Sequence, residues 1–405
     1  MKKVVLVGAG GRALHMFAKP LATELNGIVD FCGVYDLNPV RARLLGEECG
    51  VPAFDGFTEM MDACKPDTVV VATTDNTHHT YIIAALEAGC DVISEKPMTI
   101  DAAKCRAILE AEARTGRKVT VTFNLRFMPY FARIKQLLAD NAIGSIRHIA
   151  MEYFLDRSHG ADYFRRWHAE LEKSGGLLVH KSTHHFDIIN WWLNAHPESV
   201  HAFGTRTFYG PTRERRGERC STCEYEHTCE FYTDYSQQEF TNRYYLQAEK
   251  EDGYIRDRCV FHERIDICDT MSVHVKYDNG ALLSYSLVTY SPEEGWTATI
   301  TGTEGRMEVS CMYSGPKMEK DAYRIRIVKP SGETMEEEVP LTEGGHGGGD
   351  ERLRAMLFKG GIDDPLGQQA DSTAGAMSLL IGAAANRSIA ENRAMAISEL
   401  SALLS

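Results

Sequence analysis

The chain has 405 residues, more than one ordinary hydrophobic core needs and comfortable for two. Hydrophobic residues make up 43% and charged ones 25%, the balance of a soluble globular chain. No apolar run approaches the roughly 18 residues of a membrane helix. The 57 acidic residues outnumber the 44 basic ones for a net charge of −13, which argues against nucleic acid or an anionic membrane as main partner. The one small basic cluster, Arg213 to Arg219, reads as a solvated loop. The opening stretch Met1-Lys2-Lys3-Val4-Val5-Leu6-Val7-Gly8 is too short in apolar length for a secretory signal. Six cysteines (Cys32, Cys49, Cys64, Cys90, Cys105 and Cys311) are scattered through apolar segments. Together these predict a reducing cytoplasmic location.

The first 125 residues alternate short β-branched runs with helical patterns. Strands are predicted at Lys3–Val7, Ile28–Tyr35, Val51–Phe54, Thr68–Thr73, Asp91–Ser94 and Lys118–Phe123. Helices are predicted between them at Val40–Glu48, Phe57–Cys64, Thr80–Ala88 and Ala102–Thr115. Such alternation implies right-handed crossovers and a doubly wound parallel sheet, an α/β Rossmann-type domain over residues 1–125. From about residue 145 the texture changes. Strands are predicted at Ile146–Leu155, Ser199–Thr207, Asp269–Tyr277, Ala281–Tyr290, Ala298–Thr303 and Tyr323–Lys329, with few helices between. Asp278-Asn279-Gly280 is a hairpin turn signal. Residues 126–405 are therefore expected to form an α+β domain on a large, open, mostly antiparallel sheet with one face on helices. Ala374–Ile389 and Ala394–Leu404 read as closing helices.

The first strand runs into Gly8-Ala9-Gly10-Gly11-Arg12-Ala13 and then a helical pattern. Gly8 permits the tight turn, Gly10 lets backbone amides approach a pyrophosphate, and Ala13 allows close helix–strand packing. Asp36 ends the second strand, placed for the adenosine ribose hydroxyls, where a carboxylate repels a 2′-phosphate. NAD is thereby favoured, while Arg41 and Arg43 nearby leave NADP open.

Three further motifs follow in order. Thr73-Thr74-Asp75-Asn76-Thr77-His78 follows the fourth strand, Glu95-Lys96-Pro97 follows the fifth, and Gly175-Gly176 leads into His180-Lys181-Ser182-Thr183-His184-His185-Phe186-Asp187. The chain resembles, over its whole length, the glucose–fructose oxidoreductase and inositol dehydrogenase (Gfo/Idh/MocA) family. Thr74 replaces that family's proline, and His180 stands where its polyol-oxidising branch usually has aspartate. The resemblance implies cofactor contacts from Gly11, Arg12, Thr73, Thr74, Asn76, His78, Glu95, Lys96 and Pro97. It also implies a Lys96–Pro97 bond that is often cis, and homo-oligomers.

Lys96 sits just past a strand's carboxyl end, where an α/β sheet binds its ligand. Desolvated beside a cationic nicotinamide, it would have its pKa drawn down toward a useful base. His180, His184 and Asp187 fall at i, i+4 and i+7, one face of a helix. His184 matches the family's catalytic histidine, Asp187 is placed to orient its imidazole, and His180 is a further acid–base candidate. Asn124-Leu125-Arg126 after the sixth strand resembles the segment where the family crosses into its second domain. Asn124 and Arg126 are expected to face nicotinamide and substrate, and Trp167 to stack on the cofactor amide. Lys181, though elsewhere on the helix, is counted with Lys96, Asn124, Arg126, His184 and His346 as a substrate contact. His346 lies in Gly344-Gly345-His346-Gly347-Gly348-Gly349-Asp350, a string that brings backbone close to a partner.

Cys220-x2-Cys223-x5-Cys229, with Cys259 thirty residues on, suits zinc or an iron–sulfur cluster as a structural clip for an insertion at about 208–262. Reduced thiols and a disulfide are the alternatives. The reading as a whole is an NAD-dependent oxidoreductase acting on a secondary alcohol of a sugar, polyol or glycoside. The alternative is a redox-assisted glycoside hydrolase or lyase in which the hydride is returned. A non-enzymatic NAD sensor fits less well, since it needs no proton-transfer groups beside the nicotinamide.

Overall fold

The computed structural model describes residues 1–402. Its first sheet contains β1 (Lys2–Val7), β2 (Val29–Tyr35), β3 (Ala53–Phe54), β4 (Thr68–Val71), β5 (Asp91–Ser94) and β6 (Val119–Val121). These six are parallel and ordered β6-β5-β4-β1-β2-β3. Because the order reverses between β1 and β4, their carboxyl ends open a crevice where such sheets take their ligands. The central strands are near-continuous apolar runs, with Val4–Val7 and Val69–Val71 fully buried, as expected for a sheet covered on both faces. A seventh strand, residues 370–371, returns from late in the chain and pairs antiparallel with β6. This late contribution to the first sheet was not expected from the sequence.

The second sheet has nine strands. In chain order they are β7 (Ile146–Asp156), β8 (Pro197–Thr205), β9 (Thr270–Tyr277), β10 (Leu282–Ser291), β11 (Gly295–Gly302), β12 (Gly305–Met312), β13 (Ala322–Val328) and β14 (Thr334–Pro340). With Ala370–Asp371 as β15, the last is β16 (Met395–Ala396). Every pairing is antiparallel except β7 with β10. The turn Asp278-Asn279-Gly280 joins β9 to β10, with Gly280 at φ +81° and the Tyr277 N–H donating to the Ala281 carbonyl. Alternate residues of these strands, such as Val273, Val275, Leu283, Tyr285 and Leu287, are buried against helices. Trp296, wholly buried on β11, packs its ring 5.1 Å from Phe131 on the helix Pro129–Ala139.

β12 and β14 were absent from the sequence-based strands. β14 is an acidic edge strand in which Val339 is its one buried residue, so no apolar alternation announces it. β12 does alternate, with Met307, Val309 and Cys311 inward. The second closing helix also differs from expectation: Met395–Ala396 first add to β8, and the helix spans Ile397–Ala402. Leu403 and Leu404 lie outside the described residues.

The helix Ser372–Glu391 carries the packing that positions the histidine segment. A Cβ on Gly382 would stand 2.3 Å from the Leu178 carbonyl oxygen, so only glycine lets this helix touch the short helix Leu177–His180. Farther along, Thr183 Oγ1 donates to Ser378 Oγ at 3.0 Å. Gly382→Ala is expected to destabilise the fold by about 1–3 kcal/mol through overpacking, read as a lower urea midpoint at unchanged slope.

Candidate active site

The glycine-rich turn lies at the carboxyl end of β1. Gly8 has φ +104°, and a Cβ there would sit 2.3 Å from the Ala72 carbonyl oxygen, so the turn admits no side chain. Asp36, at the end of β2, accepts from Ala9 N at 2.7 Å and Asn38 N at 2.7 Å. Arg41 donates to the same carboxylate and to Asp252, a residue of the insertion. Both acids are only 12% exposed at the side chain, so Arg41 is a neutralised cation. Arg12 is likewise committed. Its Nε donates to Glu95 at 2.7 Å, and its two terminal nitrogens grip Asp350 at 3.0 and 3.2 Å.

His78 was expected to meet the cofactor. It is instead a buried staple, with Nδ1 2.9 Å from the Pro97 carbonyl and Nε2 3.2 Å from that of Thr73, tying together the loops after β4 and β5. Thr73 and Thr74 hydroxyls both reach Thr77, closing that loop on itself. The Lys96–Pro97 bond is cis. Lys96 Nζ donates to the His180 carbonyl at 3.0 Å, and burial pushes its pKa below the usual lysine value against the pull of Tyr163, Asp75 and Glu95.

His180 and His184 do not share one continuous helix. The first ends the helix Leu177–His180, and the second lies in the first turn of the helix Thr183–Leu193, with Lys181 and Ser182 between. His180 Nδ1 meets Asp75 Oδ2 at 2.5 Å. Burial drives the imidazole down and the carboxyl up, so both favour their neutral forms. The sequence had assigned Asp75 no part, although it stands inside the quoted motif. The Trp167 indole stacks on His168, ring centroids 3.7 Å apart, so that face is taken by a neighbour rather than free for a cofactor amide.

The Nδ1 of His184 is buried and has no hydrogen-bond partner. Its pKa is held well below the usual histidine value, first by burial and then by the charges of Lys96 and Lys181. The expected orienting bond from Asp187 is not made. Asp187 accepts two bonds from Arg126, Nε at 2.8 Å and the terminal nitrogen at 2.6 Å, and both side chains are buried. Arg126 also donates to the Gly367 carbonyl at 3.0 Å and lies over the Trp191 ring. It is therefore a structural tie and not a substrate-facing cation. Lys181 lies half-buried over the Tyr153 and Tyr163 rings, and desolvation lowers its pKa to about 8.

His346 does reach the site, its ring centroid 6.4 Å from that of His184. It has φ +49°, a turn conformation, and its Nδ1 is 3.0 Å from Asp350 Oδ2. Asp350 also accepts from Asn124 Nδ2 at 2.7 Å. Burial would raise the Asp350 carboxyl, but His346 and Arg12 together hold it well below the usual range. The sequence quoted Asp350 without a part. Its spacing of four from His346 was the available signal.

The chain's own atoms fit a dinucleotide at this crevice. The turn at Gly8 is closed to side chains, an acid ends β2, and Asn76 Oδ1, Asn124 Oδ1 and His184 Nδ1 are buried polar atoms without partners around it. Residues 2–123 match the Gfo/Idh/MocA model described as an oxidoreductase family with an NAD-binding Rossmann fold. Residues 135–397 match that family's C-terminal alpha/beta domain. The chain belongs to the Gfo/Idh/MocA family of oxidoreductases. YteT of Bacillus subtilis (strain 168), whose name places it only provisionally among oxidoreductases, is 40% identical over 99% of both chains. The scyllo-inositol 2-dehydrogenase (NAD(+)) of the same organism is 31% identical, over 51% of this chain and 58% of its own length. Among solved structures, an Agrobacterium radiobacter oxidoreductase in complex with NAD+, L-tartaric acid and magnesium superposes with a TM-score of 0.67. At 16% identity over 98% of this chain and 99% of its own, it shows the shared fold.

The segment at about 208–262 carries four of the chain's eleven cysteines. Cys220, Cys223, Cys229 and Cys259 do line one small cavity, beside Arg165 and Phe231. All are free thiols, and no group of three or more His, Cys, Asp or Glu among the described residues is arranged to hold a metal ion. The zinc or iron–sulfur expectation is corrected on that ground. A protein cation sits at the cluster, with the Arg165 guanidinium donating to Cys220 Sγ at 2.9 Å and to the Phe231 carbonyl at 2.6 Å. The His227 side chain, in the same segment, is 90% exposed. No helix among the described residues is long and apolar enough to cross a membrane.

Asp187→Ala would strand Arg126 as a buried unpaired charge, at a cost of about 3–5 kcal/mol. The expected result is a large fall in thermal midpoint, while the double variant Asp187→Ala/Arg126→Met recovers part of it. A variant that kept the wild-type midpoint but lost turnover would mark Asp187 as catalytic after all.

Proposed function

We propose that the protein is an NAD-dependent dehydrogenase of a secondary alcohol in a polyol or sugar. The observation that carries this is the pairing, at the mouth of the parallel sheet, of a half-buried lysine with a buried histidine whose Nδ1 has no partner. A buried polar atom left unpaired in a family of oxidoreductases asks for a ligand that supplies the missing bond. Relatives named as inositol dehydrogenases support a multiply hydroxylated substrate. A bound nicotinamide would accept hydride from the substrate carbon. The chain's part is to position the alcohol between Lys96 and His184 and to receive its proton.

Burial keeps the His184 imidazole inclined to its neutral form, ready to accept that proton, and draws the Lys96 pKa below the usual lysine value. Asp75 and His180 sit behind Lys96, joined through the His180 carbonyl, and hold the lysine in place. Asp36 supports the adenosine ribose, and its neutralised neighbour Arg41 favours NAD over NADP. Asn124 and His346, both fixed by Asp350, are placed to meet other substrate hydroxyls.

Lys96→Met and His184→Ala should each lower kcat for alcohol oxidation by about 10²–10⁴, the usual worth of a positioned acid–base group. The acid side of the kcat/KM profile should fall below pH 6.5, because burial holds the His184 pKa under that value. It should vanish in His184→Ala. The direct check incubates the protein with NAD and a panel of polyols, free sugars and aryl glycosides. Nicotinamide absorbance and substrate NMR are recorded together. NADH rising in step with a keto product is the expected outcome; aglycone release without net NADH would overturn it.

A further inference from the structure

The insertion reaches back over the glycine-rich turn. Tyr245 Oη accepts from Gly11 N at 3.3 Å, and a Cβ on Gly10 would lie 3.5 Å from the same oxygen. A Cβ on Gly11 would lie 3.4 Å from the Phe240 ring, which stacks on Tyr244 at 4.6 Å between centroids. Tyr244 is buried in the core of the first domain and donates to Glu48 at 3.1 Å. Further on, the Ala248 carbonyl accepts from Asn38 Nδ2 at 2.8 Å, the same Asn38 that caps the helix Pro39–Cys49 after β2. Asp252 then closes on Arg41, whose guanidinium also bonds Asp36 and lies 5.9 Å from the Tyr245 ring centroid. Arg219 grips Glu249 with two bonds of 2.7 Å and Asp257 with another, anchoring this segment to the cysteine-lined cavity.

We infer that residues 239–252 form the outer wall of the dinucleotide site, with Tyr245 at the pyrophosphate turn and Asp252 as a determinant of NAD over NADP. This rests on the proposed reading that a dinucleotide binds at the glycine turn. The chemistry follows from the groups in place. A pyrophosphate at the glycine turn lies beside the Tyr245 hydroxyl, which takes the Gly11 N–H and turns its own hydrogen to the anion as a neutral donor without a competing charge. At the ribose, a 2′-phosphate is welcomed by a free guanidinium and repelled by carboxylates. Arg41 is the guanidinium nearest Asp36, and Asp252 gives it a second carboxylate partner. That leaves no net positive charge for a phosphate to meet. Asp252 is thus a positioning residue that acts through Arg41, and the cofactor preference of the first domain is partly written in the second.

The test is binding of NADH and NADPH to the full chain, followed by nicotinamide fluorescence, with each dissociation constant measured separately. Asp252→Ala and Asp252→Asn release Arg41 to different extents. Both should shift the NADPH-to-NADH affinity ratio toward NADPH, the alanine by about tenfold, the worth of one charge-assisted hydrogen bond to a phosphate. General loosening of the segment would weaken both dinucleotides and leave the ratio alone. Tyr245→Phe should weaken both by about three- to tenfold with the ratio unchanged. A ratio that stays constant in both Asp252 variants, or a Tyr245→Phe chain that binds as the wild type does, overturns the proposal. A folded wild type that binds neither dinucleotide would instead remove the reading of the glycine turn itself.

Discussion

Desolvation of basic groups is the constraint on which the site depends. Lys96, Lys181, His168, His180, His184 and His185 crowd the junction of the two sheets, all with depressed pKa values, and burial is the first cause for each. Six cations packed this closely would repel one another, and few carboxylates are available to offset them. The structure resolves this by keeping several nitrogens neutral and giving them neutral partners. His185 Nδ1 lies 2.9 Å from the Tyr285 hydroxyl, and Lys181 lies over two tyrosine rings. An imidazole kept neutral in this way is a ready acceptor for a proton.

The acidic side of the balance lies at the edge of that cluster and joins distant parts of the chain. Asp350 accepts from Arg12, Asn124 and His346, and Arg12 also holds Glu95. One carboxylate thereby links the glycine turn after β1, the crossing segment after β6 and a glycine-rich loop more than two hundred residues later. The glycines around His346 matter here because Gly349 packs on the Asn124 carbonyl, where a Cβ would stand at 2.6 Å. Close backbone contact brings His346 and Asp350 within reach of the first domain, and the charge network then fixes their orientation.

The insertion has a comparable organisation at larger scale. Arg165 from outside it and Arg219 within it supply its cations, and its aromatic residues Phe240, Tyr244 and Tyr245 pack onto the glycine turn after β1 and the helix after β2. Thiol-lined cavity and aromatic segment form one continuous unit, so a feature that reads from spacing as a metal clip is built instead around arginine.

Much of this was legible in the residues themselves. Alternation of apolar runs with helical periods determined the parallel sheet, because a buried strand and an amphipathic helix have different periods whatever surrounds them. That the glycine turn, Asp36 and Lys96 stand at strand ends and His184 at a helix start was readable, because local chemistry sets those boundaries. Contacts between distant segments were not. Asp187 was matched to His184 by helical spacing, but the tertiary structure gave it to Arg126, sixty-one residues away in sequence. Arg12 looked like a cofactor contact until Glu95 and Asp350 claimed it. The four cysteines have a metal-like spacing, yet spacing says nothing of the arginine that folding brings among them. Local periodicity and turn chemistry decide which elements form; which charged side chain meets which partner depends on the burial and distances that only the assembled chain creates.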